Sequence, residues 1–383
     1  MIPLRLRSYL TLLLLLTYGF FYNAAAQEQQ EHPGNPDRIL HQKPDTISTE
    51  GHEEGTFDPA AIIMEHVLDA HEFHFFSIGE NHYSIPLPVI LYSPQRGLSV
   101  FSYGKFHHGH EAYNGYTSEE GVIKAVGADG RVDESVKVYD FSLTRNVVQM
   151  ILALILLAWI MIGIANKYKK RGAHAAPTGF QNAVEPVITF VRDEVGKPNL
   201  GHKYQQYMPY LLTVFFFILI NNLIGLIPGS ANVTGNIAFT MVLALISLVI
   251  ILLSTNGHFW GHIFWPPGVP LPVKIILIPV ELAGVLLIKP AALMIRLFAN
   301  MVAGHIVITC FILLIFIFGA MSKVAGWGFS PVSIAFTIFI YLIEILVAFI
   351  QAFIFTNLTA VFIGQSFEGG HNDVDGHADD VII

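Results

Sequence analysis

The sequence predicts an all-α polytopic membrane protein: five transmembrane or strongly tilted intramembrane helices, an amphipathic interfacial helix, and a small extracytoplasmic N-terminal α/β region. Three observations carry this prediction. The 383 residues are 53% hydrophobic and only 13% charged, the profile of a chain whose solvent is largely lipid. The long apolar runs fall almost entirely between residues 147 and 366, whereas 27–145 is polar, acidic and rich in His and Gly. A cluster of cations, Lys167, Lys169, Lys170 and Arg171, follows the first apolar run directly and marks its cytoplasmic end. The net charge of -8 gives no footprint for nucleic acid.

The elements follow in order. Residues 1–26 carry two arginines, an apolar stretch from Leu10 to Phe21, and Ala24, Ala25 and Ala26. That is the layout of a signal peptide cleaved before Gln27, which starts the mature chain outside the cytoplasm. Within residues 27–145, segments between 96 and 140 read as short strands and Gly turns. The histidines of "EHVLDAHEFHFFSIGENH" and "KFHHGH" read as solvated or interface groups rather than metal ligands, since no cysteine or fixed frame accompanies them.

Val147–Ala165 is long enough to cross about 30 Å of hydrocarbon. In "TGFQNAVEPVITFVRDEVGKPN", Phe180, Val184, Val187, Ile188, Val191 and Val195 recur at helical spacing among charges, the pattern of a helix on the cytoplasmic surface. Met208–Pro228 and Ile237–Leu253 are the second and third spans, joined outside by the Gly/Asn turn "GSANVTGN". Leu271–Gly319 and Ser330–Gln365 both exceed an upright span, so tilt, or kinks at Pro279 and Lys289-Pro290, is expected. An acidic cytoplasmic tail, 367–383, closes the chain. The single cysteine, Cys310, sits inside a span, so no internal disulfide forms.

The polar residues inside these spans hold the functional information. The last two stretches contain Glu281, Lys289, Arg296, Asn300, His305, Glu344, Gln351 and Asn357, and the second contains Asn221 and Asn222. Such groups line ion pathways or tie helices together. Lys274 and Lys289 lie where a long side chain can snorkel to the headgroups, but Arg296 has apolar runs on both sides. Lys289 and Arg296 are seven residues apart and share a helix face with Asn300. His305, nine residues from Arg296, falls on roughly the opposite side at about 100° per residue. Glu344 and Gln351, again seven apart, make one stripe. An imidazole and a buried carboxyl suit a proton relay at neutral pH; an ion pair joining two helices reads equally well from spacing. Asn221 and Asn222 serve either as path residues or as interhelical hydrogen-bond partners.

"KPAALMIRLFANMVAGH" and "IEILVAFIQAFIFTNLTAVFIG" resemble subunit a of the F-type ATP synthase, the membrane stator that works against the c-ring. "GFQNAVEPVITFV", "FILINNLIGLIPG" and "ANVTGNIA" match the same family in the same order, so the resemblance covers about residues 140 to 366. It implies a proton-translocating, non-catalytic subunit of a bacterial inner membrane with no cofactor and no metal. Its implied partners are the c-ring, the subunit b peripheral stalk, the remaining ATP synthase subunits and membrane lipid. It implies that Arg296 is the essential arginine, with Asn300 and Gln351 beside it. His305 and Glu344 fall on the two channel positions, where some bacterial members carry the acid and the imidazole in the reverse order. Glu281 is expected in the same path from outside as His305 and Glu344, with Asn221 and Asn222 as further members. The competing reading, a proton-coupled secondary transporter, requires an inverted repeat around a midplane site, and neither shows in the sequence.

Overall fold

A computed structural model describes residues 69–368 except 79–80, 110, 120, 128–130, 134, 172–178, 228, 256 and 266–269. The expected signal peptide, most of the polar segment before residue 69, and all but the first residues of the acidic tail lie outside these residues. Two compact units arise along the chain. Among the described residues, one comprises those up to Val148, those within 229–231 and His305–Ile340; the other comprises those within 149–227, those within 232–304 and those from Tyr341 to 368.

In the first unit, β1 (Glu72–Ile78) pairs antiparallel with β2 (Asn81–Pro86). β3 (Pro88–Ser93) lies between β4 (Gly97–Ser102) and β7 (Tyr139–Asp140), and β5 (Tyr116–Glu119) forms a hairpin with β6 (Val122–Ala125). Gly121, at φ 82, turns that hairpin in the left-handed region a side chain avoids. Val89, Leu91, Phe106 and Tyr116 are wholly buried and make the core with Ile123 and Ala125. The Arg96 guanidinium donates to the carbonyls of Gly115 and Val126 and joins the β3–β4 turn to the second hairpin.

Strands therefore begin at Glu72, well before residue 96, and part of the His-rich segment is sheet. His71 also departs from the solvated role read from the sequence. It is buried, its Nε2 lies 3.2 Å from Asp140 Oδ2, and its ring stacks on Tyr103 at 5.3 Å. Burial pushes the Asp140 carboxyl up, but the hydrogen bond and charge of His71, with two donors from Ser142, outweigh it, and its pKa lies below the ordinary carboxylate value.

This sheet region is tied to the first membrane helix, α1 (Arg145–Arg171). Phe141 N donates to Ile90 O at 2.8 Å, Leu143 N to Pro88 O at 3.3 Å and Arg145 N to Ala70 O at 2.9 Å. Asp69 Oδ1 accepts from Asn146 N at 3.3 Å. Backbone donors that the first turn of a helix cannot satisfy internally are thus met by residues 69–70.

Among the described residues, five helical runs are long and apolar enough to cross a membrane: Arg145–Lys170, Phe180–Gly225, Ile237–Ser254, Val273–Met321 and Lys323–Phe367. The expected interfacial helix, α2 (Phe180–Phe190), continues through a π turn, Val191–Gly196, into the short α3 (Lys197–Leu200). Gly201, at φ 52, then breaks direction before α4 (Tyr204–Gly225). After α5 (Ile237–Ser254) and the short α6 (Gly257–Phe264) comes α7 (Leu271–Ala283). A second π turn, Gly284–Ile288, leads directly into α8 (Lys289–Met321).

The sequence leads one to expect tilt, or a kink at Lys289-Pro290; the chain meets Pro290 with this wide turn. Proline's ring crowds the carbonyl four residues back, here that of Leu286, and the π turn makes room for it. α9 (Lys323–Glu368) has 46 residues, about 70 Å of helix at 1.5 Å per residue. That is roughly twice a hydrocarbon thickness, so strong tilt is required.

α8 and α9 run antiparallel. In the first unit Phe311 stacks on Phe336 and Phe318 meets Phe329, while Ser333 Oγ donates to the Phe311 carbonyl. In the second unit Phe349 packs edge-on to Phe215, Phe353 lies against Phe190, and Tyr210 Oη meets Ser247 Oγ at 2.8 Å.

Candidate functional site

The site grows from the antiparallel pairing of α8 and α9. Leu293, Leu297 and Met301 are buried at spacings of four, which fixes the inner face of α8 and turns Arg296 and Asn300 outward. Arg296 is exposed beside Ile295, which is also exposed, on a helical run whose composition is that of a membrane span. Among the described residues no carboxylate or other acceptor pairs with its guanidinium. One turn on, Asn300 Nδ2 donates to Gln351 Oε1 at 2.7 Å. This bond joins α8 to α9 one turn from Arg296.

A further turn along, Gly304 faces Glu344. The Glu344 carboxylate sits so close to the Gly304 backbone that a Cβ there would collide with it. Glu344 is buried, and its Oε2 has no protein partner. Between Glu344 and Gln351 on α9 lies Ala348, whose carbonyl accepts from Asn222 Nδ2 at 3.3 Å. Asn222 Oδ1 accepts in turn from Thr234 Oγ1 at 2.7 Å. Asn221 is fully buried; its amide donates to Phe217 O at 2.8 Å and its Oδ1 has no protein partner.

Glu344 Oε2, Asn221 Oδ1 and Gln351 Nε2 are thus three buried polar atoms without a protein partner. Buried polar atoms are nearly always satisfied, and ordered water or a passing ion is one of the few explanations for such exceptions. His305, next to Gly304 in sequence, is half-buried, and its carbonyl accepts from Thr309 Oγ1 at 2.8 Å.

Glu281 does not sit with Glu344, contrary to the single path expected from the sequence. It lies on α7, 23 residues before Gly304, more than five turns away along the α7–α8 run. There it lines a cavity of about 400 Å³ with Lys289, Gln365, Phe259, Ile263 and Val285. Lys289 Nζ donates to Gln365 Oε1 at 3.1 Å and stands 4.7 Å from the Phe362 ring centroid. Glu281 and Lys289 are eight residues apart, about 80° out of register on a regular α-helix. The extra residue of the π turn removes that offset and brings both to one cavity.

Other polar residues have structural partners. Asn357 accepts from Asn199 Nδ2 at 2.8 Å. Lys274 is buried with its Nζ 4.0 Å from the Trp265 ring centroid, so this ammonium is held by an indole face. Sequence reasoning missed Gly304, Thr234 and Gln365. Gly304 carried the only available signal, a glycine beside a titratable residue in an apolar run.

A family profile described as ATP synthase A chain matches residues 147–364, more than half of the chain. The chain belongs to the ATP synthase A chain family. It is a multi-pass membrane protein.

ATP synthase subunit a of Chloroherpeton thalassium is 47% identical over 247 residues, 63% of this chain and 72% of the relative. ATP synthase subunit a 2 of Chlorobaculum tepidum is 35% identical over 373 residues, 93% of this chain and 89% of the relative. The match to the Chlorobaculum protein extends well beyond the membrane helices into the N-terminal region. ATP synthase subunit a of Anaeromyxobacter dehalogenans is 40% identical over 249 residues, 63% of this chain and 61% of its own length. A second profile, described as a domain of unknown function (DUF8433), matches residues 62–141 and so includes the seven strands.

Proposed function

We propose that this chain carries protons across the membrane as the stationary a subunit of an F-type ATP synthase, with Arg296 facing the carboxylates of a rotating c-ring. The observation that carries this reading is the exposed, unpaired Arg296 guanidinium on an apolar helix face. A guanidinium at membrane depth costs at least about 2.5–3.5 kcal/mol and cannot shed its proton. A carboxylate arriving from another subunit offsets that cost.

The chemistry follows from charge and desolvation. A ring carboxyl in lipid is held protonated; opposite Arg296 its ionised form is stabilised. Each ring site therefore releases a proton on one side of Arg296 and reloads on the other. One half-channel is assigned to Asn221, Asn222, Glu344 and Gln351, where the partnerless polar atoms of Asn221, Glu344 and Gln351 suit a hydrated path, and His305 is the imidazole that the resemblance assigns to the same path. The other opens at Glu281, Lys289 and Gln365. Because the two are offset along the α7–α8 run, a proton has to ride the ring between them. Each charge that crosses contributes about 2.3 kcal/mol per 100 mV of potential to rotation.

The chain holds no G-x-x-x-x-G-K-[ST] loop, so the nucleotide chemistry belongs to other subunits. Subunit b of the peripheral stalk is the partner that keeps it from turning with the ring. An N-terminus outside, read from the signal layout and the cation cluster after α1, combines with five crossings to put the C-terminus in the cytoplasm of a bacterial inner membrane.

The decisive measurement is ATP-driven proton uptake by inverted vesicles carrying Arg296→Ala, with assembly checked by co-purification. Uptake falling to background in an assembled complex supports the reading. Uptake at the parent rate overturns it.

A further inference from the structure

The three-stranded sheet of β4, β3 and β7 has two apolar faces. One buries Val89, Leu91 and Phe101 towards the domain core. On the other, Ile90 pairs with Val100, Tyr92 with Leu98, and Tyr92 with Tyr139 across the strands. Successive side chains alternate between faces, so these five residues stand together. Leu98 is 67% exposed, Val100 62% and Tyr92 46%, and Tyr92 stacks on Tyr139 with centroids 6.4 Å apart. Among the described residues of these three strands, no charged side chain falls on this face. A water-facing antiparallel sheet normally alternates apolar inward with polar outward, so water is the wrong neighbour for this surface.

We propose that this face rests in the lipid headgroup zone of the bilayer beside the first membrane helix. The sheet is anchored at the point where that helix begins, through the hydrogen bonds of Phe141, Leu143 and Arg145 to Ile90, Pro88 and Ala70. Tyr139 lies only four positions before Leu143, an extended reach of at most about 14 Å, so this edge of the patch stays close to the start of α1. Two tyrosines among Ile, Leu and Val match what the interface between hydrocarbon and water selects, with ring bodies in lipid and hydroxyls in water. Residues 27–61 are dominated by Gln, Glu, Pro, Gly and Asp and offer little apolar surface to cover it instead. The sheet then serves as a float that fixes the height of the extracytoplasmic domain at the outer end of α1. This inference is independent of the proton-path reading and requires only that α1 enters a bilayer.

The single native cysteine makes the test direct. In a Cys310→Ser background, Leu98→Cys and Val100→Cys are labelled with an environment-sensitive fluorophore, and the assembled complex is placed in nanodiscs containing lipids with a headgroup-level nitroxide. The exposed Lys124 on β6, replaced by Cys, is the water-facing reference. Quenching by the lipid nitroxide about twofold or more above that at position 124, with protection from aqueous iodide, is the expected result. Quenching by iodide equal to that at position 124 overturns the proposal and leaves the face in water. Protection from both quenchers also overturns it, because another protein surface then covers the sheet. A limited-proteolysis pattern equal to that of the unlabelled protein confirms that the label has not unfolded the sheet region.

Discussion

Gly304 and Glu344 illustrate how much rests on single atoms here. A Cβ at position 304 would collide with the Glu344 carboxylate, so Gly304→Ala forces that carboxyl out of its buried position. Overpacking of this kind costs about 1–3 kcal/mol, and coupled proton uptake is expected to fall while the exposed neighbour change Ala303→Gly does much less. Comparing uptake in vesicles that contain equal amounts of assembled complex checks this. Glu344→Gln preserves the shape and removes the exchangeable proton; uptake reduced about tenfold or more with normal assembly is expected if Glu344 carries protons. Unchanged uptake would leave Glu344 as a packing residue. Arg296, Asn300, His305, Glu344 and Gln351 were all legible as polar residues in apolar runs. Thr234 and Gln365 were not, because each acquires its role only through its partner, Asn222 or Lys289; Gly304 gave only the signal of a glycine beside a titratable residue.

At the scale of elements, the two π turns are where local pattern and structure part. At 3.6 residues per turn Glu281 and Lys289 fall on different faces, so spacing rules cannot foresee their shared cavity. The turn Gly284–Ile288 holds one residue more than an α turn, and deleting Leu286 should restore regular pitch while leaving Glu281 and Lys289 aligned. Proton uptake within about twofold of the parent is therefore expected. Deleting Val302, in the regular helix between Arg296 and Gly304, rotates those two by about 100° and should abolish uptake. Equal loss from both deletions would show that the π turn has a role beyond register. Helix number and approximate limits were readable because apolar length is a strong signal. The continuous path from Phe180 to Gly225 was not, since only the bends at the π turn and at Gly201 decide how an interfacial helix joins a span.

For the molecule as a whole, the His71–Asp140 pair makes the stability of the sheet region depend on pH. Asp140 has a folded pKa depressed below its ordinary value. Its contribution to stability is therefore complete above the unfolded value near 4 and is lost as pH falls through that value towards the folded one. Limited proteolysis of the reconstituted protein should show the N-terminal region opening in this acidic window. His71→Ala should move that opening to higher pH, by removing the donor that holds Asp140 ionised; no change would show that the pair contributes nothing to that stability. The sequence alone determined that this is a membrane protein with five spans, and it set the expectations of which way round it sits and of an arginine inside a span with no local partner. Composition, apolar length and the cost of a buried cation are properties of the chain itself, so they need no fold to be read. Only the tertiary structure decided which distant residues meet: Asn300 with Gln351, Gly304 with Glu344, Lys289 with Gln365 and His71 with Asp140. Those pairings depend on helix register, strand alternation and one extra residue in a turn, and small offsets in any of them send a side chain to another face.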